Sequence, residues 1–170
     1  MANEAAGSRE LSRIVAETLA GRYESIRQRV HKLVDPLSTD QLWRRPFSFG
    51  NTLGHLLLHL TGNLRYYIGA QIVGTGYVRD RPKEFTDAAG QPHAEVLRAF
   101  DEAIALAIAA VRAQSSTDWA APYHAVGEEG IANRFEILLS CAAHADHHLG
   151  QMIYIRMQLD LDAGASQSPR

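Results

Sequence analysis

Two pairs of histidines lie four residues apart in the sequence, and both pairs fall in apolar stretches that contain no proline. The pairs are His55 with His59, and His144 with His148. On an α-helix, residues four apart lie on the same face and one turn along, so both imidazoles of a pair can reach one point. This is how a helix offers two nitrogen ligands to a metal ion. The spacing therefore predicts metal binding by one or both pairs.

A histidine in an apolar helix also has a purely structural interpretation. A buried polar group costs free energy unless it is hydrogen-bonded or bound to a metal, and many core imidazoles are simply hydrogen-bonded. A pair in one helix weakens that interpretation because both rings share one small volume. Two such pairs in a helical bundle favour a metal, since bundle cores commonly hold metal sites.

Other polar residues on the same helical faces are predicted to support the pairs. Asn63 follows His59 by one turn, where it could hold the second nitrogen of a ligand histidine or bind a substrate. A free imidazole titrates near neutral pH, which suits proton transfer. No side chain is predicted to be a catalytic nucleophile. The predicted supporting or proton-transferring residues are His55, Asn63, His147 and Gln151.

The elements that must position these residues are helices. Apolar residues recur at spacings of three and four in four long stretches, and none of the chain alternates convincingly as a strand. The connection from Gly74 to Pro92 is long enough to span a bundle. The sequence predicts an all-α fold, a four-helix bundle with a long crossover connection. The predicted helices run from Arg9 to Pro36, from an Asn51 N-cap to Val73, from His93 to Gln114, and from Asn133 to Leu159.

Length and charge limit the classes of protein to which the chain can belong. At 170 residues it fits one domain with a sizeable core, which we expect to span residues 9–161. Residues 1–8 and 162–170 are small and polar, and we expect them to be disordered tails. A formal charge of −2 gives no basic surface for nucleic acid or an anionic membrane. We therefore expect a small-molecule substrate and neither nucleic acid nor membrane as a partner.

The cellular compartment follows from the cysteine and the apolar runs. The single cysteine, Cys141, excludes an internal disulfide and is predicted to be a small core side chain. The first residues lack the apolar segment of a secretory signal. The longest strongly apolar run, Ala103–Val111, is too short to span a bilayer. We expect a cytoplasmic protein.

Two motifs carry a resemblance to a known family. Residues 51–65 read Asn-Thr-Leu-Gly-His-Leu-Leu-Leu-His-Leu-Thr-Gly-Asn-Leu-Arg, and residues 144–151 read His-Ala-Asp-His-His-Leu-Gly-Gln. Together they resemble the DinB-like superfamily of bacterial metalloenzymes, which are four-helix bundles and commonly homodimers. The resemblance implies a divalent metal, nickel or zinc, held by His59, His144 and His148. His55 is extra to the family pattern, so the choice between His55 and His59 stays open.

The resemblance also bears on the reaction. Relatives include bacillithiol- and mycothiol-dependent transferases, which implies a low-molecular-weight thiol as a co-substrate. Three neutral imidazoles with an open position are the ligand set of catalytic zinc-like ions. The sequence thus predicts a metal-dependent hydrolase or thiol-dependent S-transferase acting on a small molecule. The alternative is a non-catalytic small-molecule-binding or stress-response bundle that keeps the histidines without turnover.

Overall fold

The fold is described from a computed structural model, which covers residues 2–86 and 90–165 of the chain. Within these residues there are helices and no strands, which confirms the all-α class. Four long helical segments are joined by connections that hold two short helices and one 3₁₀ turn. The elements are α1 (Ala2–Val34), α2 (Thr39–Trp43), α3 (Leu53–Leu64) with a π-helical continuation (Arg65–Val73), α4 (Lys83–Thr86), α5 (His93–Arg112), the 3₁₀ turn (Asp118–Ala120) and α6 (Arg134–Ala165).

The four long segments form a bundle in which α1 and α3 each pack against both α5 and α6. Helix α6 runs parallel to α1, as two contacts between them show. The Tyr23 hydroxyl donates to the Leu138 carbonyl at 2.6 Å, and further along both helices Arg156 donates to the Leu33 carbonyl at 2.7 Å. Helix α5 runs the opposite way, since His93 at its start bonds the carbonyl of Val34 at the end of α1.

Helices α3 and α5 are parallel neighbours. Trp43 lies against Gly54 at the start of α3, and its indole donates to the Gln91 carbonyl just before α5. Further along, Leu106 of α5 lies beside Gly69. Two parallel helices cannot be joined by a tight hairpin, so residues 74–92 must return along the length of the bundle. The predicted crossover is therefore confirmed, and α1, α3, α5 and α6 run up, down, down and up.

The core lies between the four long segments and is built from the apolar faces that the helical periodicity predicted. Large side chains from all four are fully buried and form one cluster. None of the described helices is both long enough and apolar enough to cross a membrane. Fully buried members include Tyr23, Ile26, Leu57, Leu64, Phe100, Ile104, Ile137 and Leu149.

Three element boundaries differ from those predicted. Helix α1 already begins at Ala2, so residues 2–8 are helical; this stretch is rich in alanine, which has the highest helix propensity. Helix α6 extends to Ala165, and the rest of the predicted C-terminal tail, residues 166–170, lies outside the described residues. Thr52, rather than Asn51, caps α3, because its hydroxyl accepts the backbone N–H of His55 at 3.1 Å.

Candidate metal centre

Three histidines from two helices meet between α3 and α6. His59 of α3 faces His144 and His148 of α6, and one ring nitrogen of each lies within 4.8 Å of the others. The Nε2 atoms of His59 and His144 are 2.9 Å apart, and the His144 and His148 ring centroids are 4.5 Å apart. Among the described residues, this is the one group of three potential ligand side chains that converges in this way.

Burial favours the neutral form of His144 and His148. It lowers the pKa of His144 to about 4, and the neighbouring His148 and His59 rings add to that effect. Burial also lowers the pKa of His148, although a hydrogen bond to Gln151 opposes it. Because only a neutral imidazole has a lone pair to offer a metal, both rings are in the ligand form at neutral pH.

Glu84 of α4 fixes the orientation of His59. Its Oε2 atom lies 2.8 Å from His59 Nδ1, and both side chains are buried. A carboxylate can only accept, so this hydrogen bond places a proton on Nδ1; in the neutral ring, Nε2 is then the nitrogen with a lone pair for the other histidines' side of the site. A carboxylate behind a histidine is the usual support of a metal ligand.

Arg79 holds that carboxylate in place. Its guanidinium donates from Nε to Oε1 at 2.7 Å and from Nη2 to Oε2 at 2.9 Å, and both partners are more than nine-tenths buried. Burial alone would raise the pKa of Glu84, but the hydrogen bonds from His59 and Arg79 outweigh burial and lower it. Glu84 is therefore a carboxylate at neutral pH. Arg79 Nη2 also lies 3.3 Å from His59 Nδ1; the shorter contact to Glu84 decides where the proton sits.

Gly62 provides the space for this carboxylate. It lies three residues after His59 on α3, and a Cβ atom there would collide with the Glu84 carboxylate. The absence of a side chain thus lets α4 approach α3 closely enough for Glu84 to reach His59.

Two of the predicted supporting residues lie on α6 beside His148. Gln151 Oε1 lies 2.8 Å from His148 Nδ1, and Gln151 Nε2 lies 3.1 Å from His147 Nε2. The amide oxygen accepts from His148 and the amide nitrogen donates to His147. Gln151 therefore leaves Nε2 of His148 free to face the cluster and gives His147 an unprotonated Nε2.

The other two predicted supporting residues, His55 and Asn63, do not hydrogen-bond the three clustered histidines in the described residues. The ring nitrogen Nδ1 of His55 accepts from the Thr52 backbone at 3.2 Å, so His55 belongs to the helix cap, and its ring packs edge-on against Trp43. Asn63 is buried, but the second nitrogen of His59 is held by Glu84. The Asn63 Oδ1 atom has no hydrogen-bond partner among the described residues.

Glu84 and Arg79 are residues of the candidate centre that the sequence patterns did not indicate. Both lie in the polar connection between Gly74 and Pro92, where no periodicity marks an inward side chain. The signal that could have found them is Gly62 on the histidine face of α3, which marks a close approach by another part of the chain.

The fold is a four-helix bundle in which three imidazoles converge. Glu84 and Gln151 hold two of them, His59 and His148, through the other ring nitrogen. These features define a class, a helical protein with a candidate divalent-metal centre. The DinB superfamily model matches residues 22–152, a span that includes all three histidines. The chain belongs to the DinB superfamily.

A solved structure supports the fold assignment. A conserved protein from Enterococcus faecalis superposes with a TM-score of 0.68, covering 84% of this chain and 95% of that one. Its sequence identity is 13%, so this likeness concerns the fold alone. Comparison with curated proteins gives no match.

Proposed function

We propose that the protein is a metal-dependent enzyme acting on a small molecule, with nickel or zinc held by His59, His144 and His148. The observation that carries the proposal is the convergence of three ring nitrogens within 4.8 Å. The support behind them favours ligands over structural histidines, because Glu84 and Gln151 turn the free Nε2 atoms of His59 and His148 toward the same point.

The reaction class follows from the groups around the centre. When bound, a divalent ion with three imidazole ligands supplies Lewis acidity at a position open to water, a thiol or substrate. Cys141 is not an activated nucleophile, because burial raises its pKa and keeps it a thiol. The attacking group would come from water in a hydrolase, or from a low-molecular-weight thiol in an S-transferase.

His147 is the best-placed group for proton transfer. Its side chain is exposed, and its Nε2 accepts a hydrogen bond from the Gln151 amide. An imidazole with an unprotonated nitrogen can take a proton from the nucleophile and return it to a leaving group near neutral pH. His55 is a weaker candidate, because it is buried at the start of α3 and packs against Trp43.

The ligand assignment is tested by metal content. We expect protein purified without a histidine tag to contain about one divalent ion per chain by elemental analysis. His144→Ala should lose that ion, because two imidazoles bind a divalent metal far less tightly than three. His124→Ala, which removes an exposed histidine from a connecting loop, is the matched control and should keep it. Equal metal content in wild type and His144→Ala would contradict the assignment.

The enzymatic proposal is tested on the metal-loaded protein. Turnover of simple esters or amides, or of an electrophile with a low-molecular-weight thiol, should stop on chelation and return when the metal is restored. Turnover that survives chelation, or tight binding without turnover, would favour the non-catalytic alternative. The homodimer implied by the family is part of the proposal and is checked by sedimentation.

A further inference from the structure

A recess lies one helical turn from the histidine cluster. It encloses about 330 Å³ between the loop before α3 and the second half of α6. That volume lies at the lower end of the range for small-molecule sites. We call it the aromatic pocket; its lining residues are Phe47, Phe49, Gly50, Asn51, Leu56, Gln151, Tyr154 and Ile155.

The aromatic pocket adjoins the candidate metal centre through Gln151. Gln151 lines the pocket and also hydrogen-bonds His148 at 2.8 Å. On α6, Gln151 lies about 4.5 Å along the axis from His148. On α3, the lining residue Leu56 lies one turn before His59. A molecule held at the three histidines would therefore have the pocket beside it.

The lining fits an uncharged, flat group. None of its eight residues carries a formal charge. The Phe47 and Phe49 rings stack with centroids 5.8 Å apart and an interplanar angle of 19°. Phe49 and Tyr154 are 73% and 72% exposed, which leaves their ring faces available for contact. Rings of this kind bind other rings in offset-stacked or edge-to-face geometry.

Two other recesses lack this combination. The one that Tyr66 and His124 line also contains the carboxylates Glu128 and Glu129, and shares no residue with the histidine cluster or its hydrogen bonds. The one between α1 and the 3₁₀ turn contains Phe135 and Trp119, and likewise shares none. A lining residue that also hydrogen-bonds a histidine of the centre distinguishes the aromatic pocket from these two recesses.

We propose that the aromatic pocket binds an uncharged aromatic group of the substrate, joined to a head group that reaches the metal. This inference rests on the proposed function. A cavity of about 150 Å³ can hold a benzene molecule. The aromatic pocket therefore has room for a group of one or two rings. The substrate class is a small aryl compound with a metal-coordinating or electrophilic head, rather than a short polar metabolite.

The test compares two probes that share a metal-binding head and differ in the tail. Benzohydroxamate and acetohydroxamate are titrated calorimetrically into the metal-loaded protein, after elemental analysis has shown that the metal is present. We expect benzohydroxamate to bind at least about tenfold more tightly, because its ring leaves water for the pocket. In Phe49→Ala and Tyr154→Ala, that preference should fall to within about twofold, while metal content and acetohydroxamate affinity stay unchanged.

The control variant is Phe135→Ala, which removes a partly exposed ring from the recess between α1 and the 3₁₀ turn and should keep the full preference. Equal affinities for the two probes in wild type would overturn the inference and leave the proposed function intact. A preference that survives in both pocket variants would overturn it as well. Protein without metal would fail earlier, at the elemental analysis, and would overturn the proposed function along with the inference.

A second copy of the chain is the competing occupant of the pocket. If Phe49→Ala converts a dimer into a monomer in sedimentation and leaves the probe preference unchanged, the exposed rings belong to a subunit interface. That result would overturn the inference.

Discussion

The carboxylate of Glu84 lies 2.8 Å from the Nδ1 atom of His59, although the two residues are 25 positions apart and belong to different helices. The contact exists because the crossover connection returns along the bundle and carries α4 past the middle of α3. A connection that topology requires thus also supplies the group that orients one histidine of the candidate centre.

This relationship predicts the effect of Glu84→Gln on metal binding. A glutamine can still hydrogen-bond His59 but brings no negative charge, so the ligand becomes less basic. We expect metal affinity to fall about 10- to 100-fold, the usual range for loss of such a partner. Competition with a chelator of known affinity measures the change.

Glu102→Gln is the control for that variant. Glu102 lies on the exposed face of α5 and bonds Arg65 and Arg98. It should leave the metal affinity unchanged. A similar loss in both variants, or none in Glu84→Gln, would show that the buried carboxylate does not support the centre.

Gly62→Ala should be destabilising even though alanine favours helices. The added methyl group would meet the Glu84 carboxylate, which the ion pair with Arg79 prevents from moving freely. Overpacking of this kind costs about 1–3 kcal/mol in the free energy of unfolding. Denaturant titration gives the value, and metal affinity should fall together with it because Glu84 is displaced from His59.

Gly21→Ala provides the matched comparison. Gly21 lies in α1, and a Cβ atom there would meet nothing within 4 Å. The same substitution should therefore stabilise the protein, by up to about 1 kcal/mol. If both glycine variants are stabilised, the close approach at Gly62 is not a real constraint.

The environment of His31 predicts that the stability of the fold changes with pH, without involvement of the candidate metal centre. Burial would lower the pKa of His31, but hydrogen bonds to Asp101 at 2.8 Å and Asp35 at 2.9 Å outweigh burial, so the folded-state pKa is raised. A raised pKa stabilises the fold fully below the unfolded-state value of about 6.5. That contribution disappears as the pH rises through the folded-state pKa.

The measurement compares wild type with His31→Gln by thermal unfolding across this range. The difference in Tm should be largest between about pH 5 and 6, where the histidine is charged and the aspartates are ionised. It should shrink by about pH 8. A difference that grows with pH would reverse the sign and refute the assignment.

Tyr23→Phe tests the parallel packing of α1 and α6. The Tyr23 hydroxyl is buried and donates to the Leu138 carbonyl at 2.6 Å. Its removal loses this one buried hydrogen bond, while the Leu138 carbonyl keeps its donor within α6, so the change should cost about 0.5–1.5 kcal/mol. Tyr154→Phe, at an exposed position, should change the unfolding free energy by less than about 0.5 kcal/mol.

The sequence indicated the helices and the histidine pairs because both depend on local spacing. The spacing of four that marks His144 and His148 is a property of one helix, and the structure preserves it. The pair formed by His55 and His59 has the same spacing but a different outcome. Only His59 lies level with the α6 histidines, whereas His55 lies one turn earlier and completes the cap with Thr52. That distinction depends on the relative height of two helices, which no local pattern encodes.

The hydrogen bond from His59 to Glu84 could not be predicted from sequence patterns, for a related reason. The inward direction of Glu84 is set by the path of the crossover and by the ion pair with Arg79, not by periodicity within α4. The π-helical turns from Arg65 to Val73 were missed as well, since the apolar spacing there resembles that of an ordinary helix. Interactions between distant parts of the chain determined each of these features.

The up-down-down-up order has a consequence for biogenesis. His59 and His144 are 85 positions apart, and the segment between them includes the whole of α5 and both long connections. A nascent polypeptide must be translated past His148 before the three imidazoles can meet. Binding of a metal by all three histidines would therefore wait until α6 has been synthesised and has packed against α3.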